Sequence, residues 1–216
     1  MRSDWIPLSA SALVIGVMAL VFGSLLNPAD ADASSAETMR LVSTEGGRWL
    51  GMSVMYFGSS VALTLGLPAL LSLFTHKARR IGLVAVAVFS VGVIGTSGYA
   101  MLLVFFRALV KAGAIEDAKL EQVTSDNGLG LFLYGWIAGF YVGLLLIAVA
   151  LFVAKQTPLW VPILLVAFVA LFPFTAYIGK IGQVAQVMGL AVAFTGVAIA
   201  AVNRVHTRVA VEQPSY

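Results

Sequence analysis

Residues 127–154 read NGLGLFLYGWIAGFYVGLLLIAVALFVA, 28 consecutive positions without a charge between Asp126 and Lys155. A helix of about 20 apolar residues covers the hydrocarbon of a bilayer, and a charge there is expensive. This stretch is therefore expected to cross a membrane. The same ruler finds 25 uncharged residues between Asp4 and Asp30, 28 between Arg48 and Lys77, and 26 between Arg80 and Arg107. A further 24 lie between Lys155 and Lys180, and 23 between Lys180 and Arg204. Each gap holds one helix and none comfortably holds two. The expected fold class is all-α: a polytopic membrane protein forming one integral-membrane domain over residues 1–216. Its six transmembrane helices, in three hairpins, are expected at about 6–26, 50–74, 81–106, 130–154, 159–178 and 182–202.

Composition agrees. Of the 216 residues, 60% are hydrophobic and 11% charged, whereas soluble domains carry about a quarter charged residues. A water-soluble globular enzyme is excluded on that ground. The chain has no Cys, which removes disulfides, thiolate metal sites, iron–sulfur clusters and cysteine nucleophiles. Asn27, Asn127 and Asn203 all lack the Ser or Thr of a glycosylation acceptor. With the Ala-, Val- and Gly-rich composition, a bacterial cytoplasmic membrane is the expected location.

An even number of spans puts both termini on one side, and short cytoplasmic loops collect Lys and Arg. With the termini inside, Arg2, Lys77, Arg79, Arg80, Lys155, Arg204 and Arg208 face the cytoplasm against only Asp4 and Glu212. The outer side then holds six Lys or Arg against eight carboxylates. The compact His76-Lys77-Ala78-Arg79-Arg80 turn is the strongest local anchor. Trp5 and Trp160 fall at the cytoplasmic edge, and Trp49, Phe105, Phe106 and Tyr177 at the outer edge, where amphipathic rings prefer to sit. The first apolar run is longer than the core of a secretory signal and reads as a retained span.

Two external loops of about 22 residues contrast with short turns elsewhere. In the first, Ser34-Ser35-Ala36-Glu37 has capping-box spacing and predicts a short helix ending before Gly46-Gly47. In the second, a charged helix is expected over 115–123, with Asp126-Asn127-Gly128 turning the chain.

Helices in lipid gain no hydrophobic driving force from meeting, so they associate where small residues let backbones approach. Gly135, Gly139 and Gly143 share one face of the fourth span. Gly92, Gly95 and Gly98 in the third, and Ala185, Gly189 and Ala193 in the sixth, form weaker stripes. These faces pack either within the bundle or against another copy or another membrane protein. Pro68 and Pro173 are expected to bend their helices.

No Asp, Glu, Lys or Arg lies near the middle of a span, which removes the main support for a carboxylate proton relay or an intramembrane protease. Lys180, with Gln183 and Gln186 at helical spacing, reads either as a headgroup ligand at a cavity mouth or as a snorkelling turn residue. Arg48 and Arg107 read as an external site for a polar ligand or lipid headgroup, or as interfacial anchors paired with loop carboxylates. Trp136 falls well inside the fourth span, as core packing or pocket lining. His76 and His206 sit at the membrane edge without a further ligand, so no haem or metal site is expected, and no catalytic residue or cofactor is assigned.

The reading that follows is a non-enzymatic membrane protein acting by binding, as an accessory subunit of a complex or as a holder of a lipid-like ligand. Its expected partners are membrane lipids and a second copy or another membrane protein. The net charge of +3 matches anionic lipid, not nucleic acid. The alternative is a small transporter or channel for a neutral or amphipathic solute, using Tyr56, Tyr99, Trp136 and Tyr141 with the kinks at Pro68 and Pro173.

Overall fold

A computed structural model describes residues 5–29, 33–75, 78–115, 117–175, 177 and 179–212. Arg2, Asp4, Asp30, His76 and Lys77, all named above, lie outside the described residues. Every regular element among the described residues is helical: α1 (Trp5–Leu26), α2 (Ser35–Thr44), α3 (Gly46–Ser72), α4 (Arg79–Lys111), α5 (Asp117–Thr124), α6 (Asn127–Ala154), α7 (Trp160–Leu171) and α8 (Gly179–Glu212). A 3-10 turn, Phe172–Phe174, continues α7.

Five helices, α1, α3, α4, α6 and α8, are long and apolar enough to cross a membrane. The fifth expected span, 159–178, is shorter than the sequence suggested: a helix of 12 residues and a turn of three, about 24 Å in all. The cause is local. Phe172 keeps helical backbone, but Pro173 has no N–H to offer Val169. The Phe172 N–H turns instead to the Val169 carbonyl in 3-10 fashion. Phe168 is thereby left with a carbonyl that its own helix does not use.

The short helices begin where their caps say. Ser34 Oγ accepts from the Glu37 N–H at 3.2 Å and starts α2, while the Gly46-Gly47 pair opens α3 rather than standing as a break. Asp126 Oδ1 accepts from the Leu129 N–H at 2.7 Å, so the expected turn at 126–128 is the N-cap of α6. Both caps lie at one end, where α2 packs against α3, α4 and α5.

The long elements close a ring in which α1 touches α3 and α8, α3 touches α4, α4 touches α6, and α7 lies between α6 and α8. The most intimate pairs, α1 with α3 and α4 with α6, meet at glycines. A Cβ on Gly16 would stand 2.8 Å from Leu63, and one on Gly143 would stand 2.5 Å from the Phe89 backbone. The ring is filled at one end by Phe89, Leu144, Ile147 and Phe194, all fully buried. Large apolar side chains such as Ile15, Val91, Phe105 and Ile199 point outward, as expected of surfaces that lie against lipid.

Pro68 sits inside α3 without ending it. Ser9 of α1 places its hydroxyl beside the proline, donating to the Leu65 carbonyl at 2.9 Å and accepting from the Ala69 N–H at 2.9 Å. A neighbouring helix thus satisfies backbone groups beside the proline, the arrangement that makes proline tolerable in an apolar medium.

Candidate ligand cavity

Above the filled end of the ring lies a cavity of about 630 Å³, in the size range of small-molecule sites. Each of the long helices contributes. Leu20 and Ser24 come from α1, Tyr56 from α3, and Thr96 and Tyr99 from α4. Trp136, Phe140 and Tyr141 come from α6, and Val187 and Leu190 from α8. Phe168 of α7 and Phe172 of the 3-10 turn complete the wall, and none of the lining residues is charged.

Glycines seat the aromatic rings. The Tyr56 ring lies over Gly23, where a Cβ would stand 2.5 Å from it. Trp136 lies against Gly95 and Phe140 against Gly92, both so closely that a methyl group on either glycine would collide. The rings then touch in two groups. On the α3 and α4 side, Tyr99 contacts Tyr56 at 6.3 Å and Trp136 at 5.6 Å between centroids. On the α7 side, Tyr141 stacks on Phe168 at 5.6 Å and 9° and meets Phe172 at 4.1 Å. Aromatic pairs in this range contribute about 0.5–1.5 kcal/mol beyond their buried area.

The polar atoms of the wall are underused. The Trp136 Nε1 has no hydrogen-bond partner among the described residues and is buried against protein, not open to the cavity. Among the described residues, the hydroxyls of Tyr56, Tyr99 and Tyr141 make no hydrogen bond to the protein. Thr96 is different, because its hydroxyl donates to the Gly92 carbonyl at 3.0 Å. The free tyrosine hydroxyls therefore suit a neutral molecule that brings acceptors.

The cavity is closed toward the end of the bundle that carries Arg79, Arg80 and Arg204. Phe140 contacts Phe89 at 5.2 Å, and Phe89 stacks on Phe194 at 5.9 Å. Its flank is thin. Among the described residues, α6 and α8 never come within 8 Å between Cα atoms, so only α7 separates them. Phe172, at the top of α7, meets Tyr141, which is 14 residues from the start of α6. Some 20 Å of α6 rises beyond that level, bearing the cavity residues Gly130, Leu133 and Tyr134, the last 74% exposed.

The remaining site candidates have other neighbours. Gly139 and Gly143 face α4, whereas a Cβ on Gly135, Gly98 or Gly189 would meet nothing within 4 Å. The small-residue stripe of the fourth span is thus divided between a packed part and an open one. Lys180 Nζ donates to the Asn27 carbonyl at 2.7 Å, just past the C-terminus of α1, where a cation is favourable. Gln183 donates to the Thr175 carbonyl at 3.1 Å and buried Gln186 to the freed Phe168 carbonyl at 2.8 Å. The two glutamines hold the end of α7 onto α8 and do not line the cavity.

Arg48 pairs with Glu45 at 2.6 Å on the surface. Arg107 donates to the Gly46 carbonyl at 2.7 Å and so ties α4 to the start of α3. Trp49, expected as an interfacial ring, is instead buried, with its Nε1 donating to the Leu103 carbonyl at 3.0 Å. Tyr56, Tyr99, Trp136 and Tyr141, grouped in the sequence as candidate solute contacts, all line one cavity. Phe168, Phe172, Val187 and Leu190 had no signal beyond apolarity, apart from the Pro173 that follows Phe172.

Comparison of the chain with protein-family models, curated proteins and solved structures returned no match.

Proposed function

We propose that the chain is a non-enzymatic integral membrane protein that binds a neutral, lipid-like molecule in the aromatic cavity. The observation that carries this reading is the set of three tyrosine hydroxyls, Tyr56, Tyr99 and Tyr141, without a protein partner in a wall that holds no charged side chain among the described residues. The filled axis below Phe140 favours holding a ligand over passing a solute across the bilayer. Lateral access along the upper half of α6 suits a molecule that arrives dissolved in lipid.

In this reading α7 is a sixth, short crossing that completes three hairpins, α1 with α3, α4 with α6, and α7 with α8. Both termini are cytoplasmic. Arg79, Arg80, Lys155 and Arg204 gather at the ends of the helices opposite the α2 and α5 caps, which fits the preference of Lys and Arg for the inner side. The open Gly135 face leaves room for a second copy or an accessory role in a larger complex.

The test is native mass spectrometry of the chain extracted gently from its own membrane, beside Val187→Phe, which fills the cavity from α8. The expected result is a small neutral molecule bound one to one in the wild type and lost in the variant. A bare wild-type chain would contradict the reading.

A further inference from the structure

The cavity's chemistry narrows the ligand further, and this step rests on the binding reading above. We infer that the site takes the head of a quinone-type lipid: a flat, neutral ring carrying carbonyl acceptors, with an apolar tail. Three observations lead there. Among the described residues the wall contains no charged side chain, so a phosphate, ammonium or carboxylate headgroup would enter without a counter-charge. The unused groups are the hydroxyls of Tyr56, Tyr99 and Tyr141, which a ligand bringing acceptors would satisfy. Lastly, aromatic side chains bound the space on two sides. Tyr99 and Trp136 stand toward α4, and Tyr141 and Phe172 toward α7.

A ring with acceptors on opposite edges uses both sides at once. An alkyl chain or a glyceride would leave ring faces in contact with flexible methylene groups and would satisfy donors on one side only. The tail leaves between the upper halves of α6 and α8, past Leu133 and Val187, where no helix closes the flank. The binding involves no bond-making and no electron transfer.

The test uses the full chain in nanodiscs of phosphatidylcholine, with empty nanodiscs subtracted, and three probes of equal chain length. These are a decyl-substituted benzoquinone, decylbenzene, which has the ring without acceptors, and monodecanoylglycerol, which has acceptors without the ring. The expected result is saturable one-to-one binding of the quinone, at least tenfold tighter than either comparator. Tyr56→Phe and Tyr99→Phe should each weaken it by about tenfold, the worth of one good hydrogen bond. Each keeps its ring, and either provides the measurement if the other fails to fold.

Equal affinity for monodecanoylglycerol or for decylbenzene would overturn the quinone assignment and leave the neutral-ligand reading standing. No saturable binding of any probe, together with a bare chain in native mass spectrometry, would overturn both.

Discussion

Trp136 rests directly on the backbone of Gly95: the indole-bearing Cβ of α6 occupies the space that any side chain at that position of α4 would need. The contact fixes both the spacing of the two helices and the placement of the indole in the cavity wall. Gly95→Ala is expected to cost about 1–3 kcal/mol through overpacking and to lower the thermal midpoint in detergent. Gly98→Ala, on the same helix but with nothing within 4 Å, should be neutral or slightly stabilising, since alanine is the better helix former.

The fourth-span glycines should separate in the same experiment. Gly143→Leu drives a side chain into the Phe89 backbone at 2.5 Å and should abolish the folded bundle or reduce its recovery severely. Gly135→Leu meets nothing within 4 Å and should leave the monomer's thermal midpoint unchanged. Any effect of Gly135→Leu should appear only in assembly mass, read by size exclusion with light scattering.

Ser9 and Pro68 form a second coupled pair. Ser9→Ala removes the hydroxyl that serves both the Leu65 carbonyl and the Ala69 N–H, and should destabilise by about 1–3 kcal/mol. In a Pro68→Ala background, α3 regains its own N–H at position 68 and can close the Ala69 N–H onto the Leu65 carbonyl, so the same Ser9→Ala change should cost much less. Thermal unfolding of the four proteins of the double-mutant cycle measures the difference, and additive effects would refute the coupling.

Gln186 anchors the end of α7. Gln186→Leu strands the Phe168 carbonyl and should destabilise by about 1–3 kcal/mol. Because Phe168 and Phe172 line the cavity, the variant should also speed amide hydrogen exchange over 168–175 relative to α1 and α3. Uniform exchange across the chain would argue against a local anchor.

The helices were legible because charge is costly in hydrocarbon, so the gaps between charged residues mark where apolar helices lie. Caps were legible too, since Ser34 and Asp126 act through their immediate neighbours in sequence. The shortness of α7 was not, because it depends on Pro173 tightening the last turn and on Gln183 and Gln186 reaching across from α8. The cavity was half legible. Trp136 stood out by its depth, and the tyrosines as polar rings in apolar spans. Which of them meet depends on Gly23, Gly92 and Gly95 lying under particular rings, a matter of helix rotation that one sequence does not encode locally. Lys180 and Arg107 carried a formal charge that suggested ligands, and each is used on a backbone carbonyl.

The account's central claim is that the unused tyrosine hydroxyls of the wall donate to a bound neutral molecule. The most direct measurement is the 13Cζ spectrum of tyrosine-labelled protein in nanodiscs, with the Tyr99 signal assigned by its loss in Tyr99→Phe. Titration with total lipid extracted from the native membrane should move that signal as a hydrogen bond forms. A Tyr99 signal that stays fixed through the titration, or that shifts equally in Val187→Phe, would contradict the claim.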